Sequence, residues 1–198
     1  GTWPGDVVDA RVISCKKNYA RALVDKIALP SRHRATAPCI YFENCGGCQW
    51  QDFSYAAQLK AKRQLLGETL KQQVAYLADL DKADLEALIA PVLGMDEPYF
   101  YRNKGQFPIQ EVNGQIELGF YQPRSHRLVA IDQCLIHHAR INEILLWSQT
   151  WLRQSGLSAY DEQSCRGLLR HLIVRHGFKT DQTLVALVCT EFHDALKG

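Results

Sequence analysis

The run Tyr101-Arg-Asn-Lys-Gly-Gln-Phe-Pro-Ile-Gln-Glu-Val-Asn113-Gly114-Gln-Ile-Glu-Leu-Gly-Phe-Tyr121 decides the architecture. Asn-Gly is the strongest short hairpin signal, because both residues enter the left-handed region cheaply. Here it sits in Val112-Asn113-Gly114-Gln115, so 101–109 and 116–121 read as antiparallel partners. Residues 128–131 add a third strand. Residues 168–174 and 183–190 add two more about a loop at 177–182.

Helical periodicity flanks this sheet. Behind Asp52 or Ser54 as a cap, a helix is expected to run to about Leu80, with Leu59, Leu66, Leu70, Val74 and Leu77 on one face. Residues 84–89 read as a short acidic helix. A second long helix over 138–155 carries Ile141, Leu145, Ser148 and Leu152 at helical spacing, with Gly156 placed to end it. Residues 6–29 read as two strands about a Lys16-Lys17-Asn18 turn. A lone ribbon is marginal in water, so it must pack on something or belong to a larger barrel. The sum is α+β: an antiparallel sheet, two long helices and a small β element in front.

The 198 residues are 46% hydrophobic and 22% charged, ordinary values for a globular protein. No stretch approaches the roughly 18 apolar residues of a membrane span. The N-terminus lacks a signal peptide's basic and apolar regions. It also lacks Met, and the last residues read as a chain cut beyond a strand. Seven unevenly spaced cysteines without an export signal point to reduced thiols and a cytoplasmic setting.

A net charge of +2 hides an uneven distribution. Residues 1–36 carry seven Lys/Arg against three Asp, and 166–179 carry Arg166, Arg170, Arg175 and Lys179 without an acid. Such asymmetry suits an anionic partner.

The chemistry concentrates in Cys39-Ile-Tyr-Phe-Glu-Asn-Cys45-Gly46-Gly47-Cys48 and the distant Cys134. Four soft thiolates complete a zinc or an iron–sulfur site. Zinc ribbons usually supply two Cys-x2-Cys pairs, whereas three clustered cysteines plus a remote one favour a cluster. Zinc stays open on spacing alone. Gly46 and Gly47 let the loop turn tightly and aim amides at sulfurs. Cys15 and Cys189, within strands, read as small buried apolar residues, and Cys165 as a bystander. His137 and His138 read as capping or surface residues. Trp50, Trp147 and Trp151 read as core or helix-packing residues.

In order along the chain, Cys39-x5-Cys45-Gly-Gly-Cys48-Gln-Trp-Gln51, Tyr55-x2-Gln58-Leu59-x2-Lys62, Tyr101-Arg102-Asn103-Lys104, Gly119-Phe120-Tyr121 with Ser125-His126, Ile131-Asp132-Gln133-Cys134-Leu135-Ile136 and Leu169-Arg170-His171-Leu172-Ile173-Val174-Arg175 resemble the RNA uracil-5-methyltransferases. The resemblance is to the iron–sulfur branch that acts on 23S ribosomal RNA. It implies a [4Fe–4S] cluster on Cys39, Cys45, Cys48 and Cys134. It also implies three parts: closing strands of a TRAM or OB-like barrel at 1–36, the cysteine loop at 37–53, and the central α+β domain at 54–198.

The family's S-adenosylmethionine-binding domain, with its nucleophilic Cys and base Glu, has no counterpart in these residues. The expectation is therefore the cluster-bearing, RNA-engaging portion of a methyltransferase, inactive by itself and monomeric. The alternative is a stand-alone RNA-binding module held by zinc or a cluster. Expected RNA contacts are Lys16, Lys17, Arg102, Lys104, Arg124, His126, Arg170 and Arg175, single strands being read by stacking and phosphate contacts.

Overall fold

The structure, a computed structural model, describes residues 1–73, 87–192 and 194. The end of the expected first helix, with Val74 and Leu77, and residues 84–86 of the acidic 84–89 segment lie outside the described residues. Two compact units result, Gly1–Pro38 with Gln49–Gly94, and Cys39–Cys48 with Met95–Gly198.

In the first unit, β1 (Val7–Cys15) and β2 (Ala20–Leu29) form an antiparallel ribbon, closed where the Lys16 amide donates to the Tyr19 carbonyl at 2.8 Å. Its apolar residues stay exposed on both faces, among them Val12, Ile13, Leu23 and Val24. Cys15 is exposed as well, contrary to the buried strand position expected of it; among the described residues no second layer buries it.

Helix α1 (Tyr55–Gln73) starts where the Ser54 carbonyl accepts the Gln58 amide. Its buried residues are Ala57 and Gly67, whereas Leu65 and Leu66 are exposed. Of the expected leucine stripe Leu66 is exposed, while Leu59 and Leu70 are half-buried. Small residues admit the neighbour, a Cβ on Gly67 lying 3.4 Å from the Ile89 side chain. Trp50 does pack as expected, edge-on to Trp3 at 5.2 Å, with Trp3 stacked on Phe53 at 4.7 Å.

Arg34 ties this unit together. Its guanidinium grips Asp6 through two hydrogen bonds of 2.9 and 2.7 Å and reaches Asp52 at 3.0 Å. Asp6 also accepts from the amides of Trp3 and Ser31. The Arg34 hydrogen bonds, helped by those amides, hold the Asp6 carboxyl far below the usual carboxylate range. The unfolded chain then takes up a proton first as pH falls below about 4, so this stabilisation is complete above that pH and drains away beneath it. Asp6→Asn should lower the urea midpoint at pH 7 and flatten its decline between pH 5 and pH 3. Parallel pH profiles for the two proteins would remove Asp6 from the account.

The second unit is the expected antiparallel sheet. Strands β3 (Lys104–Val112), β4 (Gln115–Tyr121), β5 (Leu128–Ala130), β6 (Leu169–His176) and β7 (Thr183–Cys189) lie in the order β5-β4-β3-β6-β7. Val112 pairs with Gln115, and Asn113 and Gly114 take φ of 52° and 77°, the two positive values a tight right-twisted hairpin requires. Helix α2 (Ala139–Gln154) buries Ile141, Leu145 and Leu152 against Phe107, Leu118, Leu172 and Val174. Gly156 follows it at φ 69°. Arg153 and Gln149 of α2 both bind Glu117 of β4, fixing helix to sheet. Trp147 and Trp151 depart from expectation: they are 66% and 38% exposed, because the Ile141–Leu145–Leu152 stripe points the other way around the helix. Among the described residues no helix is long and apolar enough to cross a membrane.

Candidate metal centre and nucleic-acid interface

All four expected ligand cysteines fall within the second unit, although 85 residues separate the third from the fourth. The loop is wound by its own backbone: the amides of Phe42 and Cys45 donate to the carbonyls of Cys39 and Tyr41 at 3.1 and 2.7 Å. Its Gly46 and Tyr41 reach β4 and the segment after β5. The Gly46 amide donates to the Tyr121 carbonyl at 2.9 Å, and the Tyr41 hydroxyl lies 3.2 Å from the Asp132 amide, two residues before Cys134. A Cβ at Gly46 would stand 2.7 Å from the Tyr121 carbonyl oxygen, so the close approach there requires glycine.

Cys134 is held by Asn142 of α2. The Asn142 side chain accepts the Cys134 amide at 2.9 Å and donates to its carbonyl at 3.2 Å. Burial pushes the Cys134 thiol up to about 11, opposed by the Ile136 and His137 amides and reinforced by nearby Cys48 and Cys39. Burial likewise raises Cys45, against a 3.4 Å hydrogen bond from the Gly47 amide and with Cys48 and Cys39 adding to it.

The thiols therefore lie within reach of one another's charge, with amides directed at two of the sulfurs. Of the two glycine amides expected to face sulfur, Gly47 does, while Gly46 anchors the loop. Among the described residues no three His, Cys, Asp or Glu side chains converge on a single-ion point. Zinc would need all its sulfurs about 2.3 Å from one centre; a four-iron cube spaces them wider, one iron to each thiolate. Thiolates are soft donors that suit either group.

His138 caps α2, its Nδ1 accepting the Arg140 amide at 3.2 Å, as expected of it. His137 does neither of the things expected: it is fully buried between Phe107 and Phe120, and burial lowers it to about 4. A neutral His beside a thiol site has no charge to offer an anion.

The expected RNA-contacting residues fall into three groups. Lys16 and Lys17 stand at the ribbon turn of the first unit. In the second unit, Lys104 of β3 is the direct cross-strand partner of Arg175 of β6, and Arg102 precedes β3. Two like charges face to face weaken a sheet unless an anion lies between them. Arg124 and His126 share the β4–β5 connection. There His126 stacks on Tyr121 at 5.1 Å and 9° and binds Glu162 at 2.7 Å. Arg170 lies over the Tyr160 ring at 4.5 Å. Glu162, Tyr160 and Asn142 escaped the sequence reading. Tyr121 was flagged there, as part of Gly119-Phe120-Tyr121.

No family model matches the chain. It is 37% identical over 185 residues to an uncharacterized RNA methyltransferase of Clostridium acetobutylicum, covering 93% of this chain and 39% of that protein. A Listeria monocytogenes protein of the same description is 37% identical over 190 residues, with 96% and 40% covered. A Gloeobacter violaceus one is 38% identical over 189 residues, with 95% and 40% covered. These relatives are described as uncharacterized RNA methyltransferases. The chain spans about two fifths of the length of these methyltransferases. The crystal structure of Pyrococcus abyssi tRNA (uracil-54, C5)-methyltransferase in complex with S-adenosyl-L-homocysteine superposes with a TM-score of 0.67, covering 98% of this chain and 42% of that one. At 22% identity that likeness establishes a shared fold.

Proposed function

We propose that this chain is the cluster-bearing, RNA-engaging portion of an S-adenosylmethionine-dependent RNA (uracil-5-)-methyltransferase acting on 23S ribosomal RNA in the cytoplasm. The observation that carries this is identity of about 37% along almost the whole chain to proteins described as RNA methyltransferases. The uracil assignment draws on the sequence motifs; the structural neighbour, by its own description a uracil C5 enzyme, shares the fold.

On this reading Cys39, Cys45, Cys48 and Cys134 hold a [4Fe–4S] cluster. When bound, it supplies a cross-link between the loop and the segment entering α2. Asn142 positions the remote ligand, the Gly47 amide donates to the Cys45 sulfur, and Gly46 docks the loop on β4. Residues 1–36 serve as part of a barrel, which accounts for a ribbon apolar on both faces. Lys16, Lys17, Arg102, Lys104, Arg124, His126, Arg170 and Arg175 hold RNA. The protein acts as a monomer, and residues 1–198 alone transfer no methyl group.

The test uses the uninterrupted natural reading frame and residues 1–198 side by side, with tritiated methyl donor and unmodified 23S rRNA or tRNA transcripts. Label at uridine C5 of 23S rRNA, from the longer protein only, is the expected result. Label on tRNA alone would overturn the ribosomal assignment, and transfer by residues 1–198 would overturn the inactive-portion assignment. Anaerobic purification should give a brown protein with equal iron and sulfide. A colourless protein with one zinc would replace the cluster by a single ion.

A further inference from the structure

The connection between β4 and β5, Gln122-Pro123-Arg124-Ser125-His126-Arg127, is closed by a hydrogen bond from the Gln122 amide to the Arg127 carbonyl at 2.9 Å. Within it the Ser125 amide donates to the Gln122 carbonyl at 3.2 Å, with Pro123 second and Arg124 third in the turn. The third place requires positive φ, and Arg124 sits at 56°. Such a turn takes Gly or Asn there at no cost, whereas an ordinary side chain pays strain. Among the described residues Arg124 forms no ion pair or hydrogen bond that repays it, and its side chain is exposed. The arginine is held in a costly conformation and aimed at solvent.

What it borders is a groove of 530 Å³ lined by Gly46, Gly47, Tyr121, Pro123, Arg124 and His126. That volume lies in the range of small-ligand clefts, about 300–1,000 Å³, too small for a duplex. One wall is backbone, because the two glycines present no side chain. The other is aromatic: His126 stacks flat on Tyr121, its far face open, and Glu162 fixes the ring through Nδ1 at 2.7 Å. Gln110 braces the turn from β3 by donating to the His126 carbonyl at 3.0 Å.

We propose that this groove is a single-nucleotide subsite: an unstacked base of single-stranded RNA lies on His126, and its phosphate is met by Arg124. A flat ring backed by a second ring, beside an unneutralised cation and a side-chain-free wall, is what a splayed nucleotide needs. An acidic peptide would use the cation but not the ring, and a duplex would not enter. This subsite rests on the RNA-binding role proposed above and adds to it which nucleotide-sized site is used and how its parts divide the work.

The test is fluorescence anisotropy of residues 1–198, purified anaerobically, with a labelled single-stranded RNA 12-mer and the same sequence as a duplex. Arg124→Gly and Arg124→Asn should leave the melting temperature unchanged or higher, since both residues accept positive φ, yet weaken single-strand binding about tenfold. Arg124→Lys should lose less than about threefold. The slope of log affinity against log salt should fall by about 0.7 in the Gly variant, one phosphate contact on a single strand. His126→Ala should weaken binding at least fivefold with the salt slope unchanged.

Single-strand affinity within twofold of the parent in Arg124→Gly overturns the subsite while leaving RNA binding elsewhere intact. Equal losses on strand and duplex overturn the base-stacking assignment. If the parent protein binds neither RNA, or prefers an oligo-glutamate competitor, the RNA-binding role fails and the subsite with it.

Discussion

On the cluster reading proposed above, Cys134→Ala should strip the protein of iron and release the cysteine loop. Three ligands adjacent in sequence can still gather, but the fourth is the one that reaches the strand-to-helix segment at Ile131–Ala139. Because binding free energy at such a site is folding free energy, an incomplete ligand set weakens both the site and the fold around it. In the variant the Gly46 amide on Tyr121 and the Tyr41 contact with Asp132 remain. Limited proteolysis should then cut within 39–48 at least tenfold faster, and iron per chain should fall to near background. Asn142→Ala should show the same proteolysis at a smaller rate increase, since it frees the Cys134 backbone without removing the thiol. Full iron content in Cys134→Ala would take Cys134 out of the ligand set. Iron loss with unchanged cleavage would show that the loop is held without it.

Gly119→Ala should destabilise the second unit by about 3 kcal/mol or more, at the upper end of what overpacking costs. A Cβ there would stand 1.9 Å from the Val129 carbonyl oxygen, an atom of the neighbouring strand's backbone that no rotamer change can move. Gly119 pairs with Ala130, so relief requires β5 to peel off β4. The melting temperature should drop by roughly 10 °C for a domain of this size. Because β4 and β5 carry the Pro123–Arg124 turn between them, RNA affinity should fall with it at temperatures well below the melt. A variant with parental stability would mean that the two strands separate there without cost.

The hairpin and the second helix were legible because local rules decide them. Asn113–Gly114 admits little but a tight turn, and Ile141, Leu145 and Leu152 mark one face. The same reasoning misplaced Leu66, Trp147 and Cys15, since periodicity shows which face is apolar and not whether a second layer covers it. His137 was misjudged for a related reason: its position after Cys134 looks polar in sequence, but the chain turns there into the Phe107–Phe120 core. Spacing singles out the four cysteines as candidates, whereas nothing in the sequence singles out Asn142. An Asn in the first turns of a helix has many uses, and only the fold shows that it clasps the Cys134 backbone. Arg124 was chosen for its charge; its strained backbone is invisible until the turn is seen.

The facing pair Lys104 and Arg175 makes the protein its own ionic-strength gauge. Added salt relieves their mutual repulsion and should firm the β3–β6 seam; on the RNA-binding role proposed above, the same salt competes with polyanions for both residues. Heat resistance and nucleic-acid affinity should thus move in opposite directions as potassium chloride rises. A bound phosphodiester chain would act as the missing counterion, tightening the seam most where salt is scarcest.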